Sequence, residues 1–132
     1  LAYPQAAFIV KSLVDSAREL GFPEARIPLA EATILLATSP KSNSSYVAID
    51  RALDDLENIT IDDIPMHLKD AHYGGASKLG RGIEYKYPHK YENHYVKQQY
   101  LPDNIKNKVY YEYGDNKIEK TMKEYWSRIK GK

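Results

Sequence analysis

Residues 27–37 read Ile-Pro-Leu-Ala-Glu-Ala-Thr-Ile-Leu-Leu-Ala, with only Glu31 and Thr33 breaking the apolar run. A helix starting near Ile27 and Pro28 and ending about Thr38, before Ser39 and Pro40, is then apolar almost all round. Such a helix has to be covered on several sides, either at the centre of a bundle or against another subunit. Its neighbours in sequence are helical too. From Pro4 the apolar positions Ala6, Ile9, Val10, Leu13, Val14, Ala17 and Leu20 recur at three- and four-residue steps, and Gly21 with Pro23 ends the pattern. After N-cap candidates Ser42, Asn43 and Ser44, a third amphipathic stretch carries Tyr46, Ile49, Ala52, Leu53 and Leu56 on one face. Asp50, Arg51, Asp54, Asp55 and Glu57 are assigned to its polar face and the pattern fades by Asn58. Residues 1–62 are therefore expected to form a three-helix part of an all-α bundle.

The rest of the chain is less regular. Residues 65–71 suggest a short helix, and Gly74, Gly75, Gly80 and Gly82 then interrupt the chain. Ten of the twelve tyrosines lie at or beyond Tyr73, and between Tyr85 and Tyr113 they alternate with Lys, His, Asn and Gln without a sustained period. We read residues 63–115 as a long ordered excursion, with 109–113 as the best strand candidate, because a segment so rich in aromatics does not suit disorder. Residues 116–132 close the chain with a helix whose apolar stripe is Ile118, Met122, Tyr125, Trp126 and Ile129. Its other face is basic, with Glu119 and Glu124 as the only acids. At 132 residues, one domain spanning 1–132 is the natural expectation.

The net charge of +1 conceals a split: residues 1–65 hold 5 Lys and Arg against 10 Asp and Glu, and residues 66–132 hold 14 against 8. The basic half favours anionic partners and the acidic half repels them. The absence of cysteine removes disulfides, thiolate metal sites and a cysteine nucleophile. With no apolar run near the length of a membrane span, the chain reads as soluble and intracellular. It begins at Leu1 with no initiator methionine, which suits a piece of a longer protein.

Catalytic motifs fail on inspection. Gly75 to Gly80 reproduces the first part of a Walker A spacing around Lys78, but Arg81 and Gly82 stand where Lys and Ser/Thr should follow. His67, His72, His89 and His94 lack the i, i+4 spacing of a helical metal site. His67 and His89 read as surface residues and His72 as bonded to backbone. Adjacent carboxylates such as Asp54/Asp55 and Asp62/Asp63 diverge by about 100° on a helix, and Asp62/Asp63 better suit a following helix N-terminus. Lysines and tyrosines interleaved over 85–91 and 95–100 can serve a single-stranded nucleic-acid groove. Amphipathic packing of the rings is the favoured account, because stacking platforms normally sit on a sheet and none is evident.

Several unusual strings carry a resemblance. Pro23-Glu-Ala-Arg-Ile-Pro-Leu-Ala-Glu-Ala32, Ser39-Pro-Lys-Ser-Asn43, Pro65-Met-His-Leu-Lys-Asp-Ala-His-Tyr73, Tyr85-Lys-Tyr-Pro-His89 and Gln98-Gln-Tyr-Leu-Pro102 resemble the C-terminal region of one AAA+ ATPase family. This is the family of replication-associated recombination protein A, also called maintenance of genome stability protein A, with the Werner helicase-interacting protein as its eukaryotic relative. The resemblance implies an all-α helical bundle like the clamp-loader collar, lying after the AAA+ module. It implies a non-catalytic oligomerisation domain, a homotetramer, and a parent DNA-dependent ATPase acting at stalled forks in replication, recombination and repair. ATP and Mg would belong to that AAA+ module, with no cofactor in this chain. DNA and replication proteins such as single-stranded DNA-binding protein are the implied partners, in a cytoplasmic, nucleoid-associated setting. Leu13, Val14, Ile34, Leu35, Leu36 and Trp126 are the candidates for core or interface, two roles that sequence does not separate. The alternative is a DNA-contacting module in which Lys86, Lys90, Lys97, Lys106, Lys108 and the last helix touch phosphates.

Overall fold

The computed structural model describes residues 1–69 and 85–131. Four α-helices are present: α1 (Gln5–Leu20), α2 (Arg26–Thr38), α3 (Ser44–Asn58) and α4 (Lys117–Lys130). Short 3-10 turns occupy Met66–Leu68, Pro88–Lys90, Glu92–His94 and Asp103–Ile105. The fold is all-α, with no strand among the described residues. All four helix boundaries fall within two residues of the expected ones. The short helix expected over 65–71 is a single 3-10 turn at Met66–Leu68, and its last two positions lie outside the described residues. Outside them too lie the glycine cluster with Lys78 and His72.

Two compact units emerge. The first combines Leu1–Tyr46 with Glu112–Glu124, and the second draws on Val47–Tyr111 and Tyr125–Lys132.

In the first unit α1 packs against α2. The link is short because Gly21 adopts φ 68°, a left-handed conformation that costs glycine little, while its N–H donates to Ala17 O at 3.1 Å. On α2 the buried or half-buried positions are Pro28, Ala32 and Leu35, the turn of an ordinary amphipathic helix. Small side chains dominate this contact, with Ala17, Ala25 and Ala32 all buried. The rest of α2 is open: Ile27 is 62% exposed, Ile34 61% and Leu36 47%. Among the described residues α2 therefore lacks the all-round cover of a helix at the centre of a bundle, one of its two possibilities.

The N-terminus of α4 completes this unit. Asn116 caps the helix: its Oδ1 accepts from the Glu119 N–H at 3.1 Å, and its Nδ2 donates to the Glu119 carboxylate. Glu119 is fully buried, a correction to its assignment to the exposed basic face of the helix. Gly114 follows from that burial, since a Cβ there would sit 2.7 Å from Glu119 Oε2 and 3.2 Å from Ser44 Oγ.

The second unit holds its irregular chain by side chains bonded to backbone. Asn104 donates to Thr60 O at 2.7 Å and accepts from the Asp62 N–H at 3.2 Å. His67 Nε2 donates to Gln99 O at 3.0 Å, so this histidine is a structural tether and not the free surface residue expected. Gln99 donates to Leu101 O and Asp103 Oδ1, and Tyr100 Oη donates to Val96 O. Without a strand ladder, polar side chains satisfy the backbone, and this explains the aperiodic Tyr, Gln and Asn content. The strand expected over 109–113 is irregular chain without a ladder, and the side chains of Lys108 and Tyr110 reach Asp55 on α3.

Replacing Gly114 by alanine should lower stability by about 1–3 kcal/mol through overpacking against a carboxylate with no room to move. Thermal unfolding followed by circular dichroism would show the lowered midpoint.

Candidate functional site

Helix α3 presents an inverted face. Its covered side runs through half-buried Ala48 and Ala52 to buried Asp55, while the apolar stripe lies open, with Tyr46 66%, Ile49 55%, Leu53 48% and Leu56 62% exposed. Asp55, expected on the polar face, is 8% exposed. Its Oδ1 accepts from Lys108 Nζ at 3.0 Å and its Oδ2 from Tyr110 Oη at 2.9 Å. Both partners lie more than fifty residues along the chain, so this carboxylate joins α3 to the irregular segment.

The partners set the titration of the cluster. The hydrogen bond from Lys108, and next that from Tyr110, hold the Asp55 carboxyl below its ordinary 3.8. Burial, and next the hydrogen bond to Asp55, push the Tyr110 phenol above 10.0. Lys108 is thereby committed to an internal carboxylate and stands apart from the other DNA-contact candidates.

A second cluster lies at the end of α4. Trp126 makes edge contacts with Tyr95 and Tyr125, ring centroids 5.8 Å away in each case, and Lys130 Nζ lies 5.3 Å from the Trp126 ring centroid. Beside these rings opens a cleft of about 400 Å³, lined by Lys86, Tyr91, Glu92, Tyr95, Lys97 and Lys130, with Asn93, Val96 and Ile129. It brings together Lys86 and Lys97, but neither Lys90 nor Lys106, which are exposed elsewhere.

The interface candidates divide as well. Leu13 and Val14 lie on the half-buried stripe of α1 and Leu35 on the half-buried side of α2, whereas Ile34 and Leu36 point away from that packing. Trp126 is 36% exposed within its ring cluster. Sequence reasoning missed Asp55 and Glu119 as buried acids. The Asn116-x-x-Glu119 capping spacing could have revealed the second, but the first carries no local signal. Among the described residues no His, Cys, Asp and Glu group could hold a metal ion, and no helix is long and apolar enough to cross a membrane.

Comparison with known proteins gives this helical arrangement its family. The family model described as "MgsA AAA+ ATPase C terminal" matches residues 1–130. The chain belongs to that family. It is 55% identical over 130 residues to replication-associated recombination protein A of Bacillus subtilis, covering 98% of this chain and 31% of that protein. The Escherichia coli K12 protein of the same name is 33% identical over 111 residues, covering 83% of this chain and 25% of its own length. An ATPase of Dictyostelium discoideum is 32% identical over 95 residues, covering 71% of this chain and 11% of its own length. The chain thus spans about a third or less of these relatives, and corresponds to the C-terminal domain of an AAA+ ATPase family tied by name to replication-associated recombination.

The Asp55 cluster has a defined pH signature. A lowered carboxyl pKa contributes stability that is present above about pH 4 and is lost as pH falls through the lowered folded value. A raised phenol pKa leaves the Tyr110 contribution intact below pH 10 and removes it as pH rises through the raised folded value. Asp115, held low by Lys120, shares the acid direction, but it is exposed and screened by salt. Urea unfolding at high salt should therefore show a shallower acid limb for Asp55→Asn, and a shallower alkaline limb for Tyr110→Phe.

Proposed function

We propose that this MgsA-type C-terminal domain is a non-catalytic oligomerisation domain that holds AAA+ subunits in register, so that ATP sites between neighbours can assemble in the longer protein. One observation carries the reading: on α2 and α3, apolar side chains at helical spacing lie open. Ile27 and Ile34 share one line of α2, two turns apart, and Leu29 and Leu36 share another. Ile49, Leu53 and Leu56 continue the theme on α3. Phe8 on α1 is 80% exposed.

Scattered apolar residues at a surface need no explanation, but ordered stripes on successive helices favour association, because each covered side chain contributes roughly 1.5–3 kcal/mol. The occupant is a second copy of this chain. A homotetramer is the assembly we propose, with a collar-like placement after the AAA+ module. In the full-length protein ATP and Mg would be held by that module, and activity on fork DNA would follow from the assembled ring.

Light scattering over a dilution series tests the assembly. The chain should run as a tetramer, near four times 15.1 kDa, and hold that mass in high salt because burial of apolar surface is not screened. Ile34→Asp together with Leu36→Asp should shift it to monomer with helix content unchanged. A mass that stays at one subunit at every concentration would overturn the reading.

A further inference from the structure

The hairpin of α1 and α2 carries a knob at one end and a groove at the other. At the link between the helices Leu20 is 57% exposed, Phe22 80% and Ile27 62%, so three large apolar side chains stand open on one short stretch of chain. At the far end, where α1 begins and α2 finishes, a groove of about 360 Å³ is lined mainly by Leu1, Tyr3, Pro4, Ala6, Leu36 and Pro40. Leu36 belongs to the open stripe of α2, so the groove is continuous with the surface assigned to assembly. Helix α1 has 16 residues and is about 24 Å long, so the knob of a chain cannot reach its own groove. The charges are complementary as well. Lys41 lines the groove with its ammonium fixed on Leu36 O and Ser39 O, at 2.6 Å each, and Glu24 stands next to the knob with no partner for its carboxylate among the described residues.

We propose that copies of this chain join head to tail, the Phe22 knob of one seated in the groove at Leu36 and Pro40 of the next, with Glu24 meeting Lys41 beside it. Head-to-tail joining rests on the assembly reading and gives it direction. An aromatic anchor in an apolar pocket, ringed by polar groups, is the form a binding hot spot takes. A contact between two different patches is heterologous, so after the first contact the pair still offers one free knob and one free groove, and addition continues until a ring closes. Closure at four gives the proposed homotetramer, with every knob and groove occupied. A single two-fold contact between α2 stripes would stop at a dimer. One hairpin bearing both halves favours a second copy over an unrelated partner, which would leave either the knob or the groove uncovered.

Light scattering of this chain and its variants at equal concentration tests the joint. Phe22→Asp should reduce the assembled mass to one subunit with helix content unchanged by circular dichroism, because a side chain 80% exposed supports little within its own chain. Phe22→Leu should keep the wild-type mass. Leu36→Asp spoils the groove and should likewise leave single subunits. Mixing the two aspartate variants reads the direction. The first retains a groove and the second a knob, so an equimolar mixture should form dimers near twice 15.1 kDa and go no further, since both remaining ends are spoiled. Glu24→Lys, which sets like charge against Lys41, should raise the concentration for half-assembly on the order of tenfold. A Phe22→Asp variant that still assembles would assign the groove to another occupant, such as the chain preceding residue 1 in the longer protein. That result, or a mixture that stays at one subunit, would overturn head-to-tail joining and leave the assembly reading standing. A wild-type chain that stays at one subunit at every concentration would overturn both.

Discussion

A single carboxylate on α3 carries much of the second unit. Asp55 is buried where an amphipathic pattern would place an apolar side chain, and it draws Lys108 and Tyr110 to it from more than fifty residues away. A buried charge has to be paired and hydrogen-bonded to be tolerated, so the placement of α3 and the course of the chain near residues 108–110 are decided together. The strand suggested by β-propensity over 109–113 is given up to that bond. Glu119 plays a comparable part in the first unit, where its burial requires Asn116 at the helix cap and glycine at position 114.

Polar ties matter because the apolar core is small. The buried apolar side chains among the described residues are Ala2, Ala17, Ala25, Ala32, Val96 and Ile105, while the larger aliphatics on α2 and α3 remain open. Deep burial of small residues brings α1 and α2 close and leaves their big neighbours available. No described buried side-chain nitrogen or oxygen lacks a hydrogen-bond partner. Among the described residues the buried polar side chains are thus paired internally while large aliphatic side chains stay open, which is what supports the proposed assembly.

In the assembly we propose, the open aliphatic stripes of α2 and α3 are the association surface, whereas the cleft at the end of α4 is lined by lysines and tyrosines. The relatives add the AAA+ setting: the chain matches the C-terminal portion of proteins named for replication-associated recombination.

The sequence by itself determined the four helices and their ends. Periodicity of Ile9, Val10, Leu13 and Val14, the breaks at Gly21 and Pro40, and the stripe ending at Ile129 are local properties, readable because a helix repeats every 3.6 residues. The family was legible too, through long strings such as residues 85–89 and 98–102. Tertiary structure alone decided which face of each helix is covered. Asp55 reads as polar and exposed until Lys108 and Tyr110 reach it, and Ile34 reads equally as core or interface until the covered side of α2 is seen to carry Pro28, Ala32 and Leu35. Lys130 and Lys86 are separated by more than forty residues, and only folding makes them neighbours in one cleft. Contacts between residues so far apart leave no period in the chain, since what fixes them is the pairing of buried charge and the close approach of small side chains, and neither is a local quantity.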